Sequence, residues 1–146
     1  VLIRDGRVVQ EGPPAAVYAR PVDMWAARLT GPATRIDVLV ESVGDGRATI
    51  ELGGMSQGVS LASGNGAAGG ARSAIVRPDW VRLGGDLEGR VADVAYHGTH
   101  TDYVIATAAG RLGLRVIGPP SVGRGAVVGC TVDRIWIPAD ETPEAG

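Results

Sequence analysis

The stretch RVADVAYHGTHTDYVIATAAGRLGLRVI, residues 90–117, alternates apolar with polar or small residues along three successive segments. The apolar sets are Ala92, Val94 and Tyr96 in the first segment, Tyr103 and Ile105 in the second, and Leu112, Leu114 and Val116 in the third. A period of two residues is that of a β-strand with one buried face, and glycine between such segments is typical of turns. The stretch therefore predicts neighbouring antiparallel strands.

The same pattern extends on both sides of this stretch. Ile36, Val38 and Val40 alternate with Asp37, Leu39 and Glu41 before a Gly-Asp-Gly turn at 44–46. Residues 127–137 are predicted to form a long last strand broken by Gly129. Six or more antiparallel strands joined by glycine-rich turns predict a closed or nearly closed barrel, because closure removes unpaired edges.

A hairpin and two short helices precede the barrel. Two apolar runs flank Asp5-Gly6, a dipeptide suited to a tight primed turn, which predicts a hairpin over residues 2–10. Pro14 suits the first turn of a helix over residues 14–19. Residues 22–29 form a second helix, and the residues expected on its apolar face are Val22, Trp25, Ala26 and Leu29.

Two ordered sets of motifs carry a family resemblance. The hairpin, Gln10-Glu11-Gly12-Pro13-Pro14, a short helix ending in Tyr18 and then Arg20-Pro21 resemble the segment that closes the ATPase domain of bacterial ABC importers. The run IVRPDWVRL at 75–83, with LEGRV at 87–91 and YHG at 96–98, is similar to the pattern of TOBE-type domains, which are OB-like β-barrels behind that ATPase domain.

The resemblance implies an organisation and a set of partners. Residues 1–31 would be the tail of an ATPase domain, 32–138 an OB-like barrel with a flexible loop at 64–70, and 139–146 a frayed tail. The chain would be the C-terminal regulatory region of a longer protein that uses ATP and Mg²⁺. It would form a homodimer and lie in the cytoplasm, on the inner face of the membrane, through permease subunits.

The composition of the chain, and the absence of certain motifs from it, limit the functions that it can have. All 14 basic residues are arginine, and the net charge of −2 argues against a nucleic-acid binder. A phosphate loop of the G-x-x-x-x-G-K-[ST] type requires lysine, which this chain lacks, so we expect no catalysis and no cofactor here. The sequence contains no run of about twenty apolar residues, so it predicts no membrane span. Cys130 lies in an apolar run and is expected to be a buried small hydrophobe.

The turn His97-Gly98-Thr99-His100 contains an H-x-x-H pair. Two histidines at this spacing make a zinc site conceivable, with Asp93 and Asp102 nearby in the sequence. Polar residues are expected at a hairpin turn in any case, and the sequence does not define a third ligand. The favoured interpretation is two solvated turn histidines, with no metal assigned and with zinc not needed for folding.

Arg77-Pro78-Asp79 is a second candidate site. Proline biases Arg77 towards an extended conformation and so directs its guanidinium. The favoured interpretation pairs Arg77 with a carboxylate inside the domain. The alternative is that Arg77 meets an anionic solute or a partner subunit, so that the barrel acts as a solute or anion sensor. An OB-type nucleic-acid module is a third, weaker hypothesis.

Overall fold

The computed structural model describes residues 1–61 and 69–139. The predicted loop at 64–70 and the predicted tail at 139–146 lie almost entirely outside these ranges, so both stay predictions. The strands are β1 Leu2–Arg4, β2 Arg7–Gln10, β3 Thr34–Gly44, β4 Arg47–Leu52, β5 Met55–Leu61, β6 Gly70–Val76, β7 Val81–Tyr96, β8 His100–Thr107, β9 Gly110–Ile117, β10 Val127–Val132 and β11 Arg134–Ile135; the helices are α1 Pro14–Ala19 and α2 Met24–Thr30.

The predicted hairpin at the start of the chain is confirmed. Strands β1 and β2 pair in antiparallel fashion, and Asp5 and Gly6 between them have φ of 53° and 74°. Positive φ at both central positions is what a type I′ turn requires, which explains the Asp-Gly dipeptide. Pro14 begins α1 as predicted.

Helix α2 buries a different face from the predicted one. Asp23 caps the helix by accepting a hydrogen bond of 2.8 Å from the Ala26 amide, so Val22 lies outside the helix. Val22 and Leu29 are exposed, whereas Ala26 and Ala27 are fully buried. The predicted apolar face is therefore only partly correct: Ala26 is buried as expected, but Met24 and Ala27 are buried in place of Val22 and Leu29.

Two larger sheets form the body of the molecule. A five-stranded sheet has the order β11-β5-β4-β3-β6, and a four-stranded sheet has the order β10-β7-β8-β9. Their inward side chains pack into one core that includes Ile36, Val38, Val40, Ile50, Leu52, Val59, Val76, Leu87, Val91, Tyr103, Ile105, Leu112, Leu114, Cys130 and Val132. The fold is mainly β and OB-like, as predicted, and Cys130 is buried as expected.

One predicted strand face is interrupted by a bulge. The register between β7 and β8 shifts between Val91 and Asp93, which leaves Ala92 as the extra residue. Leu87 and Val91 point inward before the bulge, and Tyr96 at the far end is 55% exposed. Beyond the bulge, Val94 and Tyr96 pair with the buried Tyr103 and Thr101 and therefore share one face, as predicted, whereas Ala92 lies in the bulge itself.

The predicted long last strand is two strands in different sheets. β10 pairs with β7 up to Val132, and β11 then runs parallel to β5. At the crossing, the Asp133 amide donates to the Trp80 carbonyl, and the Asp133 carbonyl accepts from Ser60. The break falls at Asp133 rather than at Gly129, where the register only shifts. This crossing joins the two sheets.

Candidate functional site

Arg77 is the centre of the most densely bonded polar site in the described part of the chain. It lies between β6 and a single 3₁₀ turn at Pro78–Trp80, and its side chain is fully buried. Its guanidinium donates to Ala27 O at 2.7 Å, Tyr18 O at 2.8 Å, Thr30 Oγ1 at 2.9 Å, Gly31 O at 3.1 Å and Pro32 O at 3.3 Å. All these acceptors belong to the helical segment and the residues just after it.

The partners of Arg77 differ from the predicted carboxylate. The guanidinium meets the C-terminal end of α2, where carbonyl groups lack helical partners and carry the negative end of the helix dipole. A planar group with five N–H donors can satisfy several such carbonyls at once. The acceptors of Arg77 are backbone carbonyls and one hydroxyl of this chain in place of the predicted carboxylate. Burial lowers the pKa of Arg77.

Tyr18 and Asp79 complete this site. The Arg77 guanidinium lies 4.0 Å from the centroid of the Tyr18 ring, and the Tyr18 hydroxyl donates to Asp79 Oδ1 at 2.9 Å. Burial, and then the hydrogen bond to Asp79, raise the pKa of Tyr18. Gly31 allows this close packing, because a Cβ there would stand 3.3 Å from the Tyr18 ring. We call Tyr18, Thr30, Arg77 and Asp79 the Arg77 clamp.

The clamp attaches the helical segment to the barrel. Further contacts between these parts are a hydrogen bond of 2.7 Å from Trp136 Nε1 to Pro21 O and the packing of Met24 and Ala27 on Ile75. Alongside the clamp, Arg28, the segment 31–34, Pro78 and the outer face of β8 and β9 enclose an open cleft of about 370 Å³. Segments 1–31 and 32–138 are thus held together by side-chain bonds as well as by the chain.

The structure brings the two histidines together with Asp102. His97 and His100 close a two-residue turn, in which the His97 amide donates to His100 O at 2.9 Å, and their rings stack with centroids 4.9 Å apart. Asp102 is two residues beyond His100 and therefore lies on the same face of β8. Its Oδ2 is 3.3 Å from His97 Nε2 and 3.6 Å from His100 Nε2.

Arg115 holds Asp102 in place. It is the cross-strand neighbour of Asp102 on β9, and its Nε and Nη2 donate to the two carboxylate oxygens at 2.7 and 3.1 Å. The hydrogen bond from Arg115 lowers the pKa of Asp102, so this carboxyl group is ionised at neutral pH. Asp93, the other carboxylate near the histidines in sequence, pairs instead with Arg124.

Gly98 lies at the tip of the β7–β8 turn, with φ of 89° and open space around it. The exposed surface at this end of the sheet includes Tyr96 and Ile117, which is 84% exposed. The outer face of β9 is covered at Gly113, because a Cβ there would lie 3.3 Å from Pro78. We call Tyr96, His97, Gly98 and Ile117 the sheet tip.

Sequence reasoning singled out Arg77, Asp79 and both histidines, but the structure divides them between two separate sites. It missed Tyr18 and Thr30 as partners of Arg77, and no local pattern could have shown those contacts across 59 and 47 residues. The place of Asp102 beside the histidines could be predicted from the sequence. A two-residue turn puts residues 97 and 100 opposite each other, and the two-residue period of a strand puts residue 102 on the same face as residue 100.

Comparisons with known proteins agree with this architecture. The TOBE domain family matches residues 74–135, which run from β6 to β11. Within residues 1–61 and 69–139, neither helix has the length and apolar character needed to cross a membrane.

Several import ATP-binding proteins are similar to the chain. The Fe(3+) ions import ATP-binding protein of Rhizobium meliloti is 33% identical over 116 residues, covering 77% of this chain and 32% of that protein. The spermidine/putrescine import ATP-binding protein of Rubrobacter xylanophilus is 35% identical over 119 residues, covering 76% of this chain and 31% of that protein. A spermidine/putrescine import ATP-binding protein of Pseudomonas aeruginosa is 27% identical over 146 residues, covering 92% of this chain and 40% of that protein.

The chain spans about a third of the length of the first relatives. Their similarity extends over more residues than the matched TOBE segment. The chain belongs with the C-terminal, TOBE-containing parts of ABC importer ATP-binding proteins.

Proposed function

We propose that this chain is the non-catalytic regulatory and dimerisation region of an ABC importer ATP-binding subunit. The Arg77 clamp is the observation that carries this proposal. Residues 1–31 resemble the end of an ATPase domain, and a fully buried guanidinium binds them to the barrel through five different acceptors. A barrel held this firmly would follow the ATPase domain as one body and could transmit a signal to it.

The non-catalytic role follows from what ATP hydrolysis requires. Phosphate binding needs a loop of backbone amides and a lysine, and ATP and Mg²⁺ would therefore bind elsewhere in the parent protein. The test is isothermal titration calorimetry of this chain with millimolar Mg-ATP. We expect no saturable heat, and a micromolar Kd would refute the assignment.

Self-association is the second part of the proposal. Two-fold assemblies use the same patch on both copies, and the sheet tip offers exposed Tyr96 and Ile117 beside Gly98, which permits close approach. Without an attached ATPase domain the interface would be small, on the order of 1,200 Å² in total. Sedimentation equilibrium from about micromolar to hundreds of micromolar protein should show a concentration-dependent dimer that Ile117→Asp weakens. A monomeric mass throughout would refute dimerisation through this region alone.

The names of the relatives support a proposal for the partners and the location of the parent protein. The relatives are named as import ATP-binding proteins for Fe(3+) ions or for spermidine and putrescine. The parent of this chain would likewise act with permease subunits at the inner, cytoplasmic face of the membrane. Which solute the parent imports would depend on those other subunits.

The cleft beside α2 supports a second candidate function, that of a sensor for a small solute or anion. Arg28 contributes a cationic group and Asp102 a carboxylate to the lining of this cleft, so a ligand with groups of either charge has a partner there. A thermal-shift screen of phosphate, sulfate, spermidine and short oligonucleotides tests it, since a ligand that binds only the folded state raises the Tm. A saturable increase that Arg28→Met removes would support sensing, and a flat profile would exclude these ligands.

A further inference from the structure

The positions of His97, His100 and Asp102 suit a metal better than they suit hydrogen bonds. Asp102 Oδ2 lies 3.3 Å from His97 Nε2 and 3.6 Å from His100 Nε2. Both distances exceed the 2.7–2.9 Å that is typical of charge-assisted N–H···O hydrogen bonds. Zinc bonds to nitrogen and oxygen of about 2.0–2.1 Å in a tetrahedron put neighbouring ligand atoms about 3.3–3.4 Å apart. All three ligand atoms lie within 4.8 Å of one another.

We propose that His97 Nε2, His100 Nε2 and the Asp102 carboxylate bind a divalent transition metal, with Zn²⁺ as the reference ion. Two imidazoles and one carboxylate favour zinc and related ions over Mg²⁺ and Ca²⁺, which prefer oxygen ligands. Three protein ligands leave a fourth position open to water or to a group from another molecule. The site begins at the sheet tip with His97, and its Asp102 also lines the cleft alongside the Arg77 clamp.

The surroundings of the three ligands resemble the outer shell of a metal site. Thr99 Oγ1 lies 3.0 Å from His100 Nδ1. A proton on Nδ1 would be donated to this hydroxyl and would leave the Nε2 lone pair free. Arg115 orients the carboxylate by two hydrogen bonds. Partners of this kind, which fix the tautomer and the direction of each ligand, accompany most metal-binding histidines and carboxylates.

The metal would be a ligand of the folded domain and not a requirement for folding. The core that closes the barrel lies elsewhere, and His97 is half exposed in its side chain. Arg115 also carries a positive charge next to Asp102, which weakens the attraction for a cation. We therefore expect reversible binding to a folded apo domain, in agreement with the sequence-based expectation that folding does not need zinc.

The test is a titration of the chelator-treated chain with ZnCl₂ by calorimetry and with CoCl₂ by visible absorption. Binding of one equivalent is expected, together with the intense visible bands that tetrahedral Co²⁺ shows. His100→Ala and Asp102→Asn should each weaken binding at least about tenfold, since even outer-shell changes cost about 10- to 100-fold. Asp93→Asn is the matched control, because Asp93 is a nearby carboxylate that is also paired with an arginine, and it should bind as the unaltered chain does.

Three results would overturn the proposal. The first is no saturable heat with ZnCl₂, and the second is equal weakening by Asp93→Asn and Asp102→Asn. The third is unchanged affinity in Asp102→Asn, which would leave only a histidine pair. Loss of the Arg115 pair could unfold Asp102→Asn, so circular dichroism accompanies each titration. His97→Ala, which leaves that pair intact, provides the same test if the first variant does not fold.

Discussion

Replacing Arg77 with methionine tests whether the clamp holds the helical segment on the barrel. Methionine keeps most of the aliphatic length and removes the guanidinium, so the variant isolates the hydrogen bonds from the loss of packing. The bond to Ala27 O is fully buried, whereas those to Tyr18, Gly31 and Pro32 are partly buried, so water can replace some of them.

The expected loss follows from these environments. An unsatisfied buried carbonyl costs about 1–3 kcal/mol, and the lost cation–π contact with Tyr18 about 1 kcal/mol. Relief of the desolvation of the guanidinium offsets part of this loss. These losses add to about 2–4 kcal/mol before the offset, so we expect the free energy of unfolding to fall by about 1–3 kcal/mol, which an ordinary domain stability of about 5–15 kcal/mol can absorb.

Urea denaturation measures this change, with Arg82→Met as the matched control. Arg82 makes an exposed ion pair of 2.8 Å with Asp133 and should contribute less than about 1 kcal/mol. Hydrogen exchange then locates the effect: amides in the last turn of α2 should lose protection while the core strands keep theirs. Equal stability of the two variants, or loosening of the barrel with α2 unchanged, would refute the clamp.

Three further predictions concern the barrel. Gly89→Ala should cost about 1–3 kcal/mol by overpacking, because its Cβ would stand 2.5 Å from a core methyl group, whereas Gly44→Ala in open space should be near neutral by the same denaturation assay. The hydrogen bond from Arg115 lowers the pKa of Asp102 in the folded state, so ionised Asp102 stabilises the fold above the unfolded pKa of about 3.9, and this stabilisation is lost as the pH falls below that value. In Asp102→Asn, the free energy of unfolding should therefore fall less steeply between neutral and acid pH. The same steepness in both proteins would contradict this prediction. Burial raises the pKa of the Cys130 thiol, so iodoacetamide should alkylate it only after unfolding, and rapid labelling of the native chain would show that it is accessible.

Local physics explains why much of the fold could be predicted from the sequence. The Asp-Gly turn, the proline at the start of α1 and the alternation in β3, β8 and β9 depend on backbone sterics and on one buried face. Each of these signals is contained in a window of a few residues. The order of the motifs, added to these signals, was enough to predict the barrel and the relationship to importer ATP-binding proteins.

Long-range contacts decided the rest. The bulge at Ala92 and the change of sheet at Asp133 depend on which strands are neighbours, and alternation within one strand does not contain that information. The sequence directed attention to Arg77, but its acceptors lie 45 to 59 residues away in the chain, in and after the two helices. The sequence placed both Asp93 and Asp102 near the histidines, and only the folded structure separates them, because Asp93 pairs with Arg124 whereas Asp102 lies 3.3 Å from His97 Nε2. Tertiary structure chose these partners because buried polar groups bond to whatever the fold brings within reach.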